Sequence, residues 1–160
     1  MTLAFSFVPV TEVDFDELVA LRIATMQPSL ERIGRFNPQA ATARFRKTFR
    51  PADTRRIVVD GVGAGCVGFW VEPLDAAGVD QSCAMRIEHF YIAAPFQGRG
   101  LGSAVLQRLF ESAPEGVALF RVGALRDSDA NRFYRRHGFV KVSEDEWDIA
   151  YERPRHLAAG

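Results

Sequence analysis

Phe5, Phe7 and Val10 alternate loosely with smaller or polar residues, and this spacing predicts a first β-strand. Phe15, Val19, Ile23 and Met26 then recur at steps of four, four and three, which lays one apolar face along a helix. Asp14 and Glu17, an acceptor followed three residues later by a carboxylate, read as its capping box. Gln27-Pro28-Ser29 is expected to interrupt this helix. A second helix follows, with Pro38 near its start and Phe45 and Phe49 one turn apart. From Arg55 the period changes: Ile57-Val58-Val59 is β-branched, Asp60-Gly61 is a turn signal, and Cys66 to Val71 resumes an apolar run. The three together predict an antiparallel hairpin.

Glu72 to Ser82 contains Pro73, Gly78 and short residues and reads as a loop, and Met85 to Ile92 as the next strand. A glycine-rich segment leads into a helix whose Val105, Leu106, Leu109 and Phe110 form a core-facing stripe. Pro114-Glu115-Gly116 closes it, and Val117 to Val122 is a strand. Asp127 to His137 predicts another helix, ended by Gly138, a suitable C-cap residue. Phe139 to Val142 and Trp147 to Tyr151 predict a final hairpin, with a frayed tail from Pro154. No repeat, low-complexity tract or linker divides the chain. The expectation is one α+β domain over residues 1–153 and a flexible tail over 154–160.

The 160 residues suffice for a hydrophobic core without staples. Twenty acidic side chains balance twenty basic ones, so the basic excess of a nucleic-acid binder is missing. Cys66 and Cys83 form no CxxC pair and read as reduced thiols. No signal peptide or membrane span is recognisable, and a cytoplasmic location is expected by default.

Strand, then Gln97-Gly98-Arg99-Gly100-Leu101-Gly102, then helix is the most informative stretch. Three glycines remove three β-carbons from one turn and let backbone approach a ligand. The helix beginning there exposes orphan N–H groups and the positive end of its dipole, a site suited to phosphates. Arg99 could add a charge-assisted contact. A P-loop would need Gly-Lys-Ser/Thr, and no lysine follows Gly100 or Gly102. A Rossmann fingerprint would need a third glycine where Ser103 stands, and its turn would not follow an antiparallel hairpin.

These residues resemble the GCN5-related N-acetyltransferase (GNAT) superfamily. Its signature, Arg/Gln-x-x-Gly-x-Gly/Ala, is filled by Gln97, Gly100 and Gly102, with Phe90-Tyr91-Ile92 upstream and Pro95 in the connection. Downstream the family often shows Asn, Ala three residues on, Phe-Tyr, then Gly-Phe; here stand Asp127, Ala130, Phe133-Tyr134 and Gly138-Phe139. The departure is Asp127, since a carboxylate cannot donate a hydrogen bond as an amide can. The order of elements agrees from Phe5 to Tyr151.

The resemblance implies an α/β/α sandwich: a mixed, mostly antiparallel sheet of six to seven strands with helices on both faces. It implies acyl transfer from acetyl-CoA to an amine in a ternary complex, without a metal. Splayed fourth and fifth strands would admit the pantetheine arm against the backbone of Phe90, Tyr91 and Ile92. The cofactor-binding set is those three with Gln97, Gly98, Arg99, Gly100, Leu101, Gly102, Ser103 and Asp127. Glu88, on the strand before the cradle, is the candidate base for the amine proton, and partial burial would raise its reference pKa of about 4.3. Its structural reading is an ion pair with Arg86 or Arg121. Tyr134 is placed to donate to the leaving sulfur; otherwise it packs beside Phe133. His89 would face away from Glu88 unless a bulge intervenes. His137 reads as a helix-end residue stabilised by the dipole, and Arg132, Arg135 and Arg136 as a solvated face.

The partners are thus acetyl-CoA and an amine acceptor, with a homodimer left open and neither nucleic acid nor membrane expected. Two other readings remain: a non-catalytic acyl-CoA-binding or regulatory domain of this fold, and a nucleotide-binding protein using the same turn. In this fold the acceptor is set by the loop between the first two helices, here Gln27 to Arg35, and by Glu72 to Ser82. Met26, Arg32, Arg35, Phe36 and Trp70 could line that cleft.

Overall fold

Asp60 and Gly61 both take left-handed backbone, φ 51° and 78°, and set Val59 directly opposite Val62. A two-residue turn of this hand matches the twist of the strands it joins. The strands are β2 (Thr54–Val59) and β3 (Val62–Pro73), the predicted hairpin. The computed structural model describes residues 3–74 and 82–157. Most of the loop predicted between Glu72 and Ser82 lies outside them.

Around this hairpin stand β1 (Ser6–Pro9), α1 (Phe15–Arg32), α2 (Pro38–Thr48), β4 (Cys83–Ile92), α3 (Leu101–Ser112), β5 (Val117–Leu125), α4 (Ala130–Arg136), β6 (Val140–Glu144) and β7 (Asp148–Pro154). The described strands form one seven-stranded sheet, ordered β1-β2-β3-β4-β5-β7-β6. β4 and β5 run parallel, whereas β1–β2, β2–β3, β5–β7 and β6–β7 are antiparallel. A mixed seven-strand sheet with four helices is the expected α+β fold.

Contacts group the chain into two compact units, Met1–Gly68 with His89–Val105, and Phe69–Glu88 with Leu106–Gly160. In the first, Val10, Phe15, Leu18, Val19, Phe45 and Cys66 form a buried cluster. Phe45 and Phe49 stack at 5.0 Å. Arg56 ties β2 to the start of α1 through Asp14 (2.9 Å) and Glu17 (2.6 Å). In the second unit Phe110 packs on Phe120 at 4.7 Å and on Phe139 at 6.1 Å. Arg155 continues past β7, its guanidinium donating to the carbonyls of Ala113, Pro114 and Val117.

Several expectations are corrected. The capping box is Thr11 with Asp14, on a single 3-10 turn before α1, because the Asp14 carboxylate reaches back to the Thr11 amide. Glu17 instead serves Arg56. α1 is not interrupted at Gln27-Pro28-Ser29 but runs through Pro28 to Arg32. A proline inside a helix forfeits one hydrogen bond and costs about 3 kcal/mol, which tertiary packing of Leu18, Val19 and Leu30 outweighs. α4 starts at Ala130, since Asp127 adopts φ 65° and cannot be helical.

Candidate active site

The glycine turn takes its shape from its own sequence. Pro95 fixes a short 3-10 turn, Ala94–Phe96, after which the Gln97 side chain donates to the Ile92 carbonyl at 2.8 Å. Gln97 therefore works by closing the turn. Gly98 and Gly100 have φ 73° and 80°, a region that L-residues avoid. A β-carbon built on either meets no atom within 4 Å, so space stands open beside that main chain. Leu101, 1% exposed, anchors the start of α3, and the Ala104 amide donates to the Gly100 carbonyl at 3.1 Å. The amides of such a first turn are those a helix leaves without an internal acceptor. With the open space, they make a turn that could hold an anion. Arg99 is exposed, its guanidinium 5.7 Å from the Phe96 ring centre. Gly102 and Ser103 follow in the first turn of α3.

β4 changes character along its length. Its ladder with β5 runs from Cys83 opposite Val117 to Arg86 opposite Arg121, while β4 itself continues to Ile92. His89 has φ 49°, a left-handed step inside a strand, and this breaks strict alternation of faces. The condition under which His89 could share a face with Glu88 is therefore met.

The His89 side chain is nevertheless committed. Its Nε2 lies 2.7 Å from the Thr48 hydroxyl, and Nδ1 lies 3.2 Å from the Tyr91 phenol and 3.5 Å from Nη1 of Arg22. Its ring packs edge-on against Phe45 at 4.7 Å. Burial, aided by the charge of Arg22, pulls its pKa down to about 4. Such a ring holds an amine's proton poorly, which argues against His89 as the base. Its carbonyl accepts from the Cys66 thiol at 3.3 Å, and burial pushes that thiol up to about 12. Phe90, Tyr91 and Ile92 complete the strand, each half-buried.

Glu88 lies half-buried in the second unit. The two arginines that would pair with it structurally both bind Glu72, at 3.1 Å from Arg86 and 3.2 Å from Arg121. Arg121 also holds Glu152 at 2.9 Å.

In the same unit, Tyr134 is 6% exposed and lies against Phe133, Phe139 and Tyr151. Its carbonyl accepts the amides of His137 and Phe139, which fixes the end of α4. Asp127 is exposed on the turn before α4, and aspartate tolerates left-handed backbone better than most residues. Asn131, unremarked in the sequence, is the organising residue of this turn. Its buried amide donates to the Leu125 and Ser128 carbonyls, both at 2.9 Å, and its oxygen accepts from the Tyr151 phenol at 2.8 Å. Only its helical offset from Tyr134 could have flagged it. His137 does cap α4, but the dipole does not decide its charge: burial, with Arg136 and Arg153, lowers its pKa.

The connection between α1 and α2 is shorter than predicted. Met26 and Arg32 belong to α1, leaving Ile33 to Asn37 as the connection. Among the described residues, no group of three His, Cys, Asp or Glu could hold a metal, and no helix is long and apolar enough to cross a membrane.

Residues 52–141, more than half of the chain, match the family described as Acetyltransferase (GNAT) domain. The protein belongs to that family. No curated protein matches the sequence. Among solved structures it is similar to an acetyltransferase from Thermus thermophilus, at 19% identity and TM-score 0.68, over 96% of this chain and 99% of that one. An acetyltransferase of the GNAT family from Staphylococcus aureus shares 12% identity at TM-score 0.66, over 96% of this chain and all of its own (100%). Arabidopsis thaliana Naa50, in complex with the bisubstrate analogue CoA-Ac-MVNAL, shares 16% identity at TM-score 0.61, over 94% and 99%. At these identities the likeness is one of fold.

Proposed function

We propose that the protein transfers an acetyl group from acetyl-CoA to a primary amine of a small molecule or peptide, by direct attack. The observation behind this reading is the Gly98–Gly102 cradle, two left-handed glycines with open space ahead of a helix, inside a chain of the GNAT family. Coenzyme A would supply the activated thioester; the protein supplies binding, orientation and proton handling.

The amides at the start of α3 hold the diphosphate, with Arg99 beside them. The main chain of Phe90 to Ile92 pairs with the amides of the pantetheine arm, past the point where the β4–β5 ladder stops. Gln97 keeps the turn closed on Ile92. Asp127, where relatives carry an amide, can only accept a hydrogen bond.

Glu88 takes the proton that the attacking amine must lose, directly or through water. Tyr134 donates to the departing sulfur. Holding amine and thioester together accounts for much of the acceleration.

The test pairs calorimetric titration of acetyl-CoA with a thiol-release assay across an amine library. Micromolar-range binding with release for a subset of amines is expected. Binding without release for every amine would leave an acyl-CoA-binding domain, and failure to bind would remove the reading altogether.

A further inference from the structure

Arg22, on α1 in the first unit, lies among neutral groups. Its Nη1 donates to the Tyr91 phenol and lies 3.5 Å from Nδ1 of His89. Since a guanidinium only donates, Nδ1 is an acceptor there, and Nε2 carries the ring hydrogen toward Thr48. The ring is uncharged at neutral pH, so it adds no second cation.

The guanidinium carbon also lies 5.9 Å from the Tyr91 ring centre, but its other two nitrogens make no protein hydrogen bond among the described residues. Nε is buried without a hydrogen-bond partner, and no protein group among the described residues bonds Nη2. Nor does any described carboxylate pair with Arg22; Asp14 and Glu17, the acids near the start of α1, are both taken by Arg56. A partly buried cation without a counter-charge gains when a ligand supplies one. Nε is enclosed by the protein, so Nη2 is the nitrogen that can meet a carboxylate, through a charge-assisted hydrogen bond.

We propose that Arg22 binds a carboxylate borne by the amine acceptor, so that the acceptors are amino acids or close analogues. The inference rests on the acyl-transfer reading and adds the class of acceptor to it. The phosphates of the donor are assigned to the Gly98–Gly102 cradle and leave this cation to the other substrate. A positive charge beside the bound acceptor also favours its amine in the neutral form, which attack requires.

The experiment measures kcat/KM, with saturating acetyl-CoA, for free L-amino acids beside their primary amides, which keep the shape and lose the charge. Free acids should be favoured by about tenfold or more. In Arg22→Gln the preference should disappear while acetyl-CoA titrates as before. Amides used as well as acids by the wild type, or a preference surviving in Arg22→Gln, would overturn the proposal. The wild-type comparison stands even if the variant does not fold. Should no amine release thiol, the acyl-transfer reading fails by itself, and N-acetyl-amino acids then decide the anion site. Movement of the His89 and Tyr91 ring NMR signals with the acids, and not with their amides, supports it; still signals sink it.

Discussion

The main-chain oxygen of Tyr91 stands where a β-carbon on Gly65 would have to go, and the Ile92 α-carbon lies 3.2 Å from the same point. β3 and β4 meet there backbone to backbone, and neither obstacle is a flexible side-chain end. Gly65→Ala must therefore push the strands apart. Its expected cost is about 2–4 kcal/mol, read as a lower urea midpoint at unchanged slope. A wild-type midpoint would mean that the strands separate freely.

At Gly100 the constraint is conformational, for a β-carbon meets no neighbour while φ is 80°. Alanine there should cost about 1–2 kcal/mol and weaken acetyl-CoA binding. Asparagine tolerates this backbone but also brings a β-carbon. Calorimetry on both variants separates the effects: if Gly100→Asn binds as the wild type does, strain alone explains the alanine result.

His89 makes stability depend on pH. Its folded pKa, about 4, lies below the ordinary 6.5, so the unfolded chain binds its proton first. Stability from the neutral ring is full above about pH 6.5 and is lost as pH falls toward 4. At about 1.4 kcal/mol per pKa step the whole difference is on the order of 3 kcal/mol. Urea midpoints between pH 7.5 and 4.5 should fall less steeply in His89→Gln than in the wild type. Parallel curves would remove His89 from the account.

Tyr134 touches three aromatic rings, and Tyr134→Phe preserves all three contacts. Turnover should drop by roughly 10²-fold, in the range of a lost proton donor, while acetyl-CoA affinity holds. Unchanged kcat would cancel the leaving-group assignment.

Where local chemistry decides the structure, the sequence was readable. Asp60-Gly61 allows one hairpin, and Gly98 and Gly100 allow the left-handed turn before α3. Competition between local signals was harder to judge. Asp14 can pair with a capping turn ahead of it or behind it, and Thr11 wins. Pro28 opposes helix locally, yet burial of Leu30 beyond it prevails. Contacts between distant residues left no trace. Nothing near Arg22 announces His89 and Tyr91, some seventy positions away, and Asn131 gives no hint that Tyr151 will satisfy it.

Cys66 is wholly enclosed, its sulfur hydrogen committed to the His89 carbonyl and its thiolate suppressed. A maleimide can reach it only when its packing against Val10, Phe15, Leu18, Val19 and Phe45 opens. The speed at which this one sulfur is alkylated is thus a stopwatch for breathing of the unit that contains the cradle, and occupancy of the cradle should slow it.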